Sequence, residues 1–329
     1  MVYLVTGATG LVGNNVTRQL LERGHAVRVL VRRNSDPRPF QGLEVEKVEG
    51  DVCDAASVQR ACHGVSAVVH SAGFVHFGWS HLDRHRAVNV EGTRHVAEAA
   101  RGAAARLVHV SSVDALGVGS PDAPADEESP RTGKFPCHYA VTKREGEEAV
   151  RGEIARGLDA VIVNPGFMLG PWDWKPSSGR MLIEVARWFT PVSPSGGLTV
   201  CDVRDVAAAI LTACERAPAG RQYILAGENI TYFDFWCLIA EVCGGGKPWF
   251  RAGPALRWLG GGIGDLWYRL SGREVDMNSA GVGISSQFHY YRSTRAEAEL
   301  GYQRRPPRQS IADAWQWFQE HGYVKARKR

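Results

Sequence analysis

A glycine-rich turn near the start of the chain restricts its fold more than any other feature. The run Thr6-Gly7-Ala8-Thr9-Gly10-Leu11-Val12-Gly13 follows the apolar stretch Val2-Tyr3-Leu4-Val5 and opens a helical pattern over residues 11 to 23. Gly7 permits a tight turn, Gly10 lets the backbone approach a pyrophosphate, and Gly13 allows close helix–strand packing. The helix N–H groups of this turn, with Thr9, Leu11 and Val12 in it, face an anion. A second apolar run at residues 26 to 31 completes the unit, so the turn is read as a dinucleotide site rather than a structural bend.

Valine-rich runs then alternate with amphipathic stretches. Strands are predicted at residues 2 to 6, 26 to 31, 44 to 48, 66 to 70, 106 to 111 and 159 to 164. Helices are predicted near 11 to 23, 55 to 62, 81 to 102 and 138 to 156. This is the pattern of an α/β, Rossmann-type doubly wound parallel sheet with helices on both faces. After Pro165 the regularity breaks into loop chemistry around Gly170-Pro171 and Pro191 to Pro194. A dinucleotide-binding domain over 1–168 is expected, with 197–226 returning to its sheet. A smaller, mainly C-terminal substrate-binding lobe takes 169–196 and 227–329. Seven of the ten tryptophans lie between Trp172 and Trp267, which reads as the core of that lobe or as an apolar pocket or membrane-facing surface.

At the end of the second strand an acid would normally bind the ribose 2′-hydroxyl of NAD, but the run is Val29-Leu30-Val31-Arg32-Arg33. Guanidinium forks match a phosphate dianion, so Arg32, with Arg33, favours NADP(H) over NAD(H), which stays open as the second cofactor. Asp51, after the third strand and beside Val52, is placed either to accept from the adenine amino group or to cap a loop.

Tyr139-Ala140-Val141-Thr142-Lys143 puts a phenol and an ammonium one turn apart on a helix. A phenol with a pKa of about 10 is a poor acid or base near neutrality, and a neighbouring cation lowers it. The pair follows a fifth strand ending in Val110-Ser111-Ser112, at the edge where such sheets bind ligands. Together they point to hydride transfer between nicotinamide and a carbonyl carbon. Tyr139 exchanges the hydroxyl proton, Lys143 tunes it and holds the ribose, and Ser112 polarises the oxygen.

Composition narrows the partners. The 329-residue chain has a net charge of +4, with its basic residues dispersed apart from a terminal Lys325 to Arg329 tail, so nucleic-acid binding is not implied. Seven cysteines without a C-x-x-C pair indicate neither a disulfide framework nor a metal site, and fit a reducing cytoplasm. No apolar stretch is long enough to span a bilayer. The apolar segment Leu256 to Leu270 reads as a lid or lobe core, or as a peripheral membrane contact. Its four glycines within nine residues weaken a helix there.

These motifs, with His70-Ser71-Ala72-Gly73, Asn89-Val90-Glu91-Gly92-Thr93 and Asn164-Pro165-Gly166, resemble the extended short-chain dehydrogenase/reductase (NAD-dependent epimerase/dehydratase) family across nearly the whole chain. Within it, Gly170-Pro171, Lys175-Pro176 and Glu299-Leu300-Gly301-Tyr302 resemble the dihydroflavonol 4-reductase and 3-beta-hydroxysteroid dehydrogenase branch, including bacterial proteins labelled hopanoid-associated sugar epimerases. The resemblance implies a catalytic triad of Ser112, Tyr139 and Lys143. Around the cofactor it implies Ser71, Ala72, Gly73, Asn89, Val110, Ser111, Pro165, Gly166 and Met168. It also implies a homodimer built on residues 81 to 102 and 138 to 156.

Reductases, epimerases and dehydratases share this family, and two departures separate them here. Dehydratases carry a Thr-Asp-Glu run where this chain has Ser112-Val113-Asp114, so Val113 replaces an acid. Nucleotide-sugar epimerases carry Arg-x-x-Asn-x-Tyr-Gly-Pro where this chain has Asn164 to Pro171 with Phe167-Met168-Leu169. Joined to Phe74, Phe77, Trp79, Trp172 and Trp174, this predicts a small hydrophobic substrate beside Asp114 and Phe167. His76 and His81 share that loop as hydrogen-bonded or surface histidines rather than proton shuttles. A nucleotide-sugar epimerase with tightly bound cofactor is the alternative, and a redox-sensing binding protein a remoter one.

Overall fold

The computed structural model describes residues 1–324; the Lys325 to Arg329 tail lies outside the described residues. Strands β1 (Val2–Thr6), β2 (Ala26–Val31), β3 (Glu46–Glu49), β4 (Ala67–His70), β5 (Arg106–Val110) and β6 (Ala160–Pro165) alternate with helices α1 (Leu11–Glu22), α2 (Ala55–Cys62), α3 (Leu82–His85), α4 (Gly92–Gly102) and α5 (His138–Ile154). There follow β7 (Phe167–Leu169), α6 (Ser178–Arg187), β8 (Val192–Ser193), β9 (Gly197–Asp202), α7 (Val203–Arg216), β10 (Gln222–Leu225), β11 (Glu228–Thr231) and α8 (Tyr232–Cys243). The chain continues through β12 (Phe250–Arg251), α9 (Pro254–Ser271), α10 (Ser279–Ser285), α11 (Thr294–Leu300) and α12 (Pro307–Glu320).

A seven-stranded sheet runs in the order β10-β6-β5-β4-β1-β2-β3, with every pairing parallel. Its central strands are apolar on both faces, because Val16 and Leu20 of α1 and Ile210 of α7 cover one side. Val58, Val96 and Val150, from α2, α4 and α5, cover the other. Each such side chain contributes about 1.5 to 3 kcal/mol when fully buried, which is why these strands read as continuous valine runs. The strand order reverses between β1 and β4, and that switch point opens the ligand crevice at the carboxyl edge.

Residues 222–225 join this sheet beside β6, but 197–202 do not return to it as the sequence suggested. β10 occupies the edge of β6, so β9 pairs instead with β7 and β11 in a separate three-stranded sheet. Gly166 makes that bend, since a Cβ there would lie 2.4 Å from Thr199. Helices α6, α8 and α12 close a second core around Leu182, Phe235 and Phe318. The single helix predicted over 81 to 102 is interrupted by a π-helical turn at Arg86–Glu91.

Candidate active site

The glycine turn is built as a cradle. Gly7 sits at φ +72°, and a Cβ on it would lie 2.6 Å from the Ala72 nitrogen; one on Gly13 would lie 2.4 Å from the Gly7 carbonyl. Gly10 differs, since a Cβ there would meet only the Gly7 oxygen, at 3.3 Å, leaving its other side approachable. Gly10 caps α1 without a side-chain bond, so the first N–H groups of Leu11, Val12 and Gly13 face the crevice beside Ala8 and Thr9. Ser71 donates to the Thr6 carbonyl at 2.7 Å, and Asn14 donates to the carbonyls of Ala8 (3.1 Å) and Pro39 (3.0 Å), which fixes the turn to its flanks. These residues fit a dinucleotide, with its pyrophosphate on the α1 N-terminus.

At the end of β2 the two arginines differ. Arg33 is paired with Glu49 at 3.0 Å. Arg32 bonds Ser35 through its backbone N–H, and among the described residues its exposed side chain has no partner. The Asp51 carboxylate accepts from the Cys53 N–H at 2.9 Å, so it does cap its loop, while the Val52 carbonyl meets His95 at 2.9 Å.

Ser111, Ser112, Tyr139 and Lys143 converge where β5 ends against α5. Lys143 donates to the Val110 carbonyl at 2.9 Å rather than to Tyr139. Burial lowers its pKa to about 8, against the pull of Glu147 and Asp114. Burial pushes the Tyr139 phenol well above its usual range and the Asp114 charge adds to this, while a hydrogen bond with Ser112 opposes it. The ammonium is directed at the strand carbonyl, and burial is what dominates the phenol. What results is a phenol held in its proton-donating form. The Asn89 side chain, presented by the π turn, donates to the Phe74 carbonyl (3.0 Å) and to Thr142 (3.2 Å) and accepts from the Phe74 N–H (2.8 Å), locking the loop after β4 to α5.

Behind the pair lies a polar network. Ser111 and Asn164 both donate to the fully buried Glu147 (2.7 and 2.6 Å), and Arg131 pairs with it at 2.8 Å. On the other flank, Ser112 donates to Asp114 at 3.2 Å, and the same carboxylate faces Lys134 (3.6 Å) and His289 (3.4 Å). Burial brings Lys134 down to about 8 and His289 to about 4.

Loop 74–81 roofs the site. Phe77 meets the Tyr139 ring at 5.1 Å, Phe74 meets His85 at 4.7 Å, and Trp79 donates to Ser279 at 2.8 Å. Glu274 anchors that loop: it accepts from His76 and the Trp79 N–H, each at 2.7 Å, and from Ser80. His81 stands at the α3 N-terminus, edge-on to Phe74 at 6.1 Å.

Residues 3–226 match the profile of the NAD dependent epimerase/dehydratase family. The chain belongs to this family. A putative dihydroflavonol 4-reductase from Synechocystis sp. is 35% identical, covering 98% of this chain and 96% of its own. Sterol demethylase protein B from Methylococcus capsulatus is 34% identical over 98% of this chain and 100% of its own. The crystal structure of gox2253 has a TM-score of 0.86 at 34% identity, covering 98% of this chain and 99% of that one. As a member of the epimerase/dehydratase family the protein is an NAD(P)-dependent oxidoreductase.

Two aromatics assigned to the pocket from sequence lie elsewhere in this family member. Trp172 and Trp174 pack on Trp317 (6.1 and 5.1 Å) and His321, and Arg18 stacks on Trp172 at 3.3 Å. They belong to the small-lobe core because the left-handed backbone at Trp172 (φ 70°) turns them toward α12. Phe167 meets Phe235 at 5.7 Å in that core, and Met168 packs on the large one. Pro165 ends β6 and Gly166 follows it, and Gly73 lies 3.5 Å from Asn89, measured to a Cβ built on it. Glu147, Glu274, Lys134 and His289 were not found from sequence. Glu147 had a signal, since it repeats the four-residue spacing of Tyr139 and Lys143 on one helical face. Glu274 had none, being 198 residues from His76.

Proposed function

We propose that the chain is an NADP-dependent reductase of ketones, or a dehydrogenase of the matching secondary alcohols, acting on a hydrophobic molecule: steroid-like, terpenoid, lipid or aromatic polycyclic. One observation carries the reading. Tyr139 is a buried phenol that burial holds in its protonated form, beside Ser112 and walled by the Phe77 ring at 5.1 Å, so the oxygen-handling groups sit against an apolar roof. The name of the Methylococcus relative, a sterol demethylase protein, points the same way.

Bound nicotinamide supplies or accepts the hydride. Ser112 holds the substrate oxygen, and the Tyr139 hydroxyl gives its proton to that oxygen as negative charge builds there. Lys143, charged below about pH 8, stabilises that charge from beneath the strand. Arg32, with no competing partner among the described residues, takes the 2′-phosphate of NADP in this reading. Residues 1–168, with α7 and β10, hold the cofactor, and the lobe of 169–196 and 227–329 selects the substrate. The chain is also read as a homodimer through α4 and α5, working in a reducing cytoplasm where its seven cysteines stay free; a solution mass of one chain would overturn the dimer.

Equilibrium titration tests substrate class. In the presence of NADP⁺, a polycyclic alcohol should saturate the site at micromolar concentration and UDP-hexoses should not. Saturation by UDP-hexose alone would favour the epimerase reading.

A further inference from the structure

Helix α9 is turned inside out. Its small residues face the protein: a Cβ on Gly264 would lie 1.8 Å from the Met277 carbonyl, and one on Gly261 would lie 3.1 Å from Ser279. Its large residues face outward, with Trp258 79% and Leu270 78% exposed. At 100° per residue, Leu259, Ile263, Leu266 and Leu270 fall within one narrow stripe, with Trp267 about 40° from one side of it and Trp258 about 80° from the other, just past Arg269. The arc from Trp258 to Trp267, apolar apart from Arg269 near its rim, covers about half of a helix about 27 Å long.

The charge on this face is one-sided. The single carboxylate of α9, Asp265, is turned inward to accept from the Ser279 N–H at 3.0 Å. Arg269, on the exposed side of α9, and Arg273, just past its end, are exposed and have no carboxylate partner among the described residues. A leucine stripe bordered by tryptophans and flanked by unpaired arginines matches the depth profile of an anionic bilayer: acyl chains, interface, headgroups. No helix among the described residues is long and apolar enough to cross a membrane, so the geometry is that of a helix lying in the interface.

We propose that α9 is a membrane-docking face that seats the protein on an anionic lipid surface. The face is one layer from the chemistry. Behind α9 stands α10, whose Ala280 and Ile284 pack with Tyr139 and Cys137, and whose Gly283 lies against Phe135. The segment leaving α9 carries Glu274, the anchor of the roof loop. Docking therefore sets the roof of the site at the lipid boundary, where a membrane-dissolved ketone enters without crossing water; this delivery role, unlike the docking itself, rests on the reductase reading.

Vesicle flotation of the full chain decides it, and needs no turnover, so it stands whether or not a ketone is reduced. The chain should float with phosphatidylcholine vesicles containing phosphatidylglycerol. It should bind phosphatidylcholine alone at least about tenfold more weakly. Leu259→Glu with Leu266→Glu, both at exposed positions, should cut binding to the mixed vesicles at least about tenfold while leaving the thermal midpoint and any turnover of a water-soluble ketone unchanged. Arg269→Glu with Arg273→Glu, which spares the stripe, should remove the preference for anionic vesicles. No flotation, or equal flotation of the leucine variant, overturns the proposal. So does a lipid-free dimer that the leucine variant dissociates, because the occupant of the face is then a second copy.

Discussion

Lys143 gives its ammonium to the carbonyl of Val110 at 2.9 Å, and this bond separates its role from that of Tyr139. The lysine is a buried charge fixed to the strand, and the tyrosine a buried neutral acid. With the Lys143 pKa lowered to about 8 by burial, its charged form is present below that pH and lost above it. kcat/KM for ketone reduction should therefore hold from pH 6 to 7 and fall tenfold per unit once pH passes about 8. A profile flat to pH 10 would remove the charge of Lys143 from the mechanism.

Tyr139→Phe removes the transferable proton and keeps the ring that Phe77 packs on. Reduction should fall about 10²- to 10⁴-fold with KM little changed and the thermal midpoint retained. Ser112→Ala should cost less, about 10²-fold, because the phenol still contacts the oxygen.

Arg32→Ala and Arg33→Ala should differ. A charge-assisted bond is worth about 1.5 to 3 kcal/mol, so losing Arg32 should raise the KM for NADPH by about 10- to 100-fold and leave NADH unchanged. Arg33, engaged with Glu49, should show a small effect on either cofactor. Steady-state kinetics with both nucleotides separates the two.

Much of the large domain was legible, because a strand buried on both faces has to be written as a continuous apolar run: Ala67 to His70 and Ala160 to Pro165 could be little else. The positions of Gly7, Ser112, Tyr139 and Lys143 follow from that sheet edge. Other features depend on contacts that no local pattern encodes. The π turn at Asn89 is set by its bonds to Phe74 and Thr142, and the path of β9 by β10 already holding the edge of β6. The apolar segment 256–270 reads from sequence as a lid or lobe core, or as a peripheral membrane contact, and hydropathy does not choose between them. Its glycines, counted as helix-weakening, are the contact face against 277–279, which leaves the leucines outside.

Glu147 holds the floor of the site together from a fully buried position. Glu147→Ala leaves Ser111, Asn164 and Arg131 without their common acceptor, and should destabilise the fold by about 3 to 5 kcal/mol in chemical denaturation. Glu147→Gln, which keeps one acceptor oxygen, should cost less than Glu147→Ala.

Glu274→Ala should act on the roof and not on the chemistry. It frees His76, Trp79 and Ser80, so KM for a hydrophobic ketone should rise several-fold with kcat little altered, and limited proteolysis should cut within 74–81 sooner. Equal loss of kcat with an unchanged KM would place Glu274 elsewhere in the cycle.

The most direct test is the redox balance of turnover. Incubated with NADPH and a polycyclic ketone, the protein should consume one nicotinamide for each alcohol formed, and the Tyr139→Phe variant should consume almost none. Turnover of a UDP-hexose to its epimer with the nicotinamide neither consumed nor released, and no oxidation of NADPH by any ketone, would contradict the account.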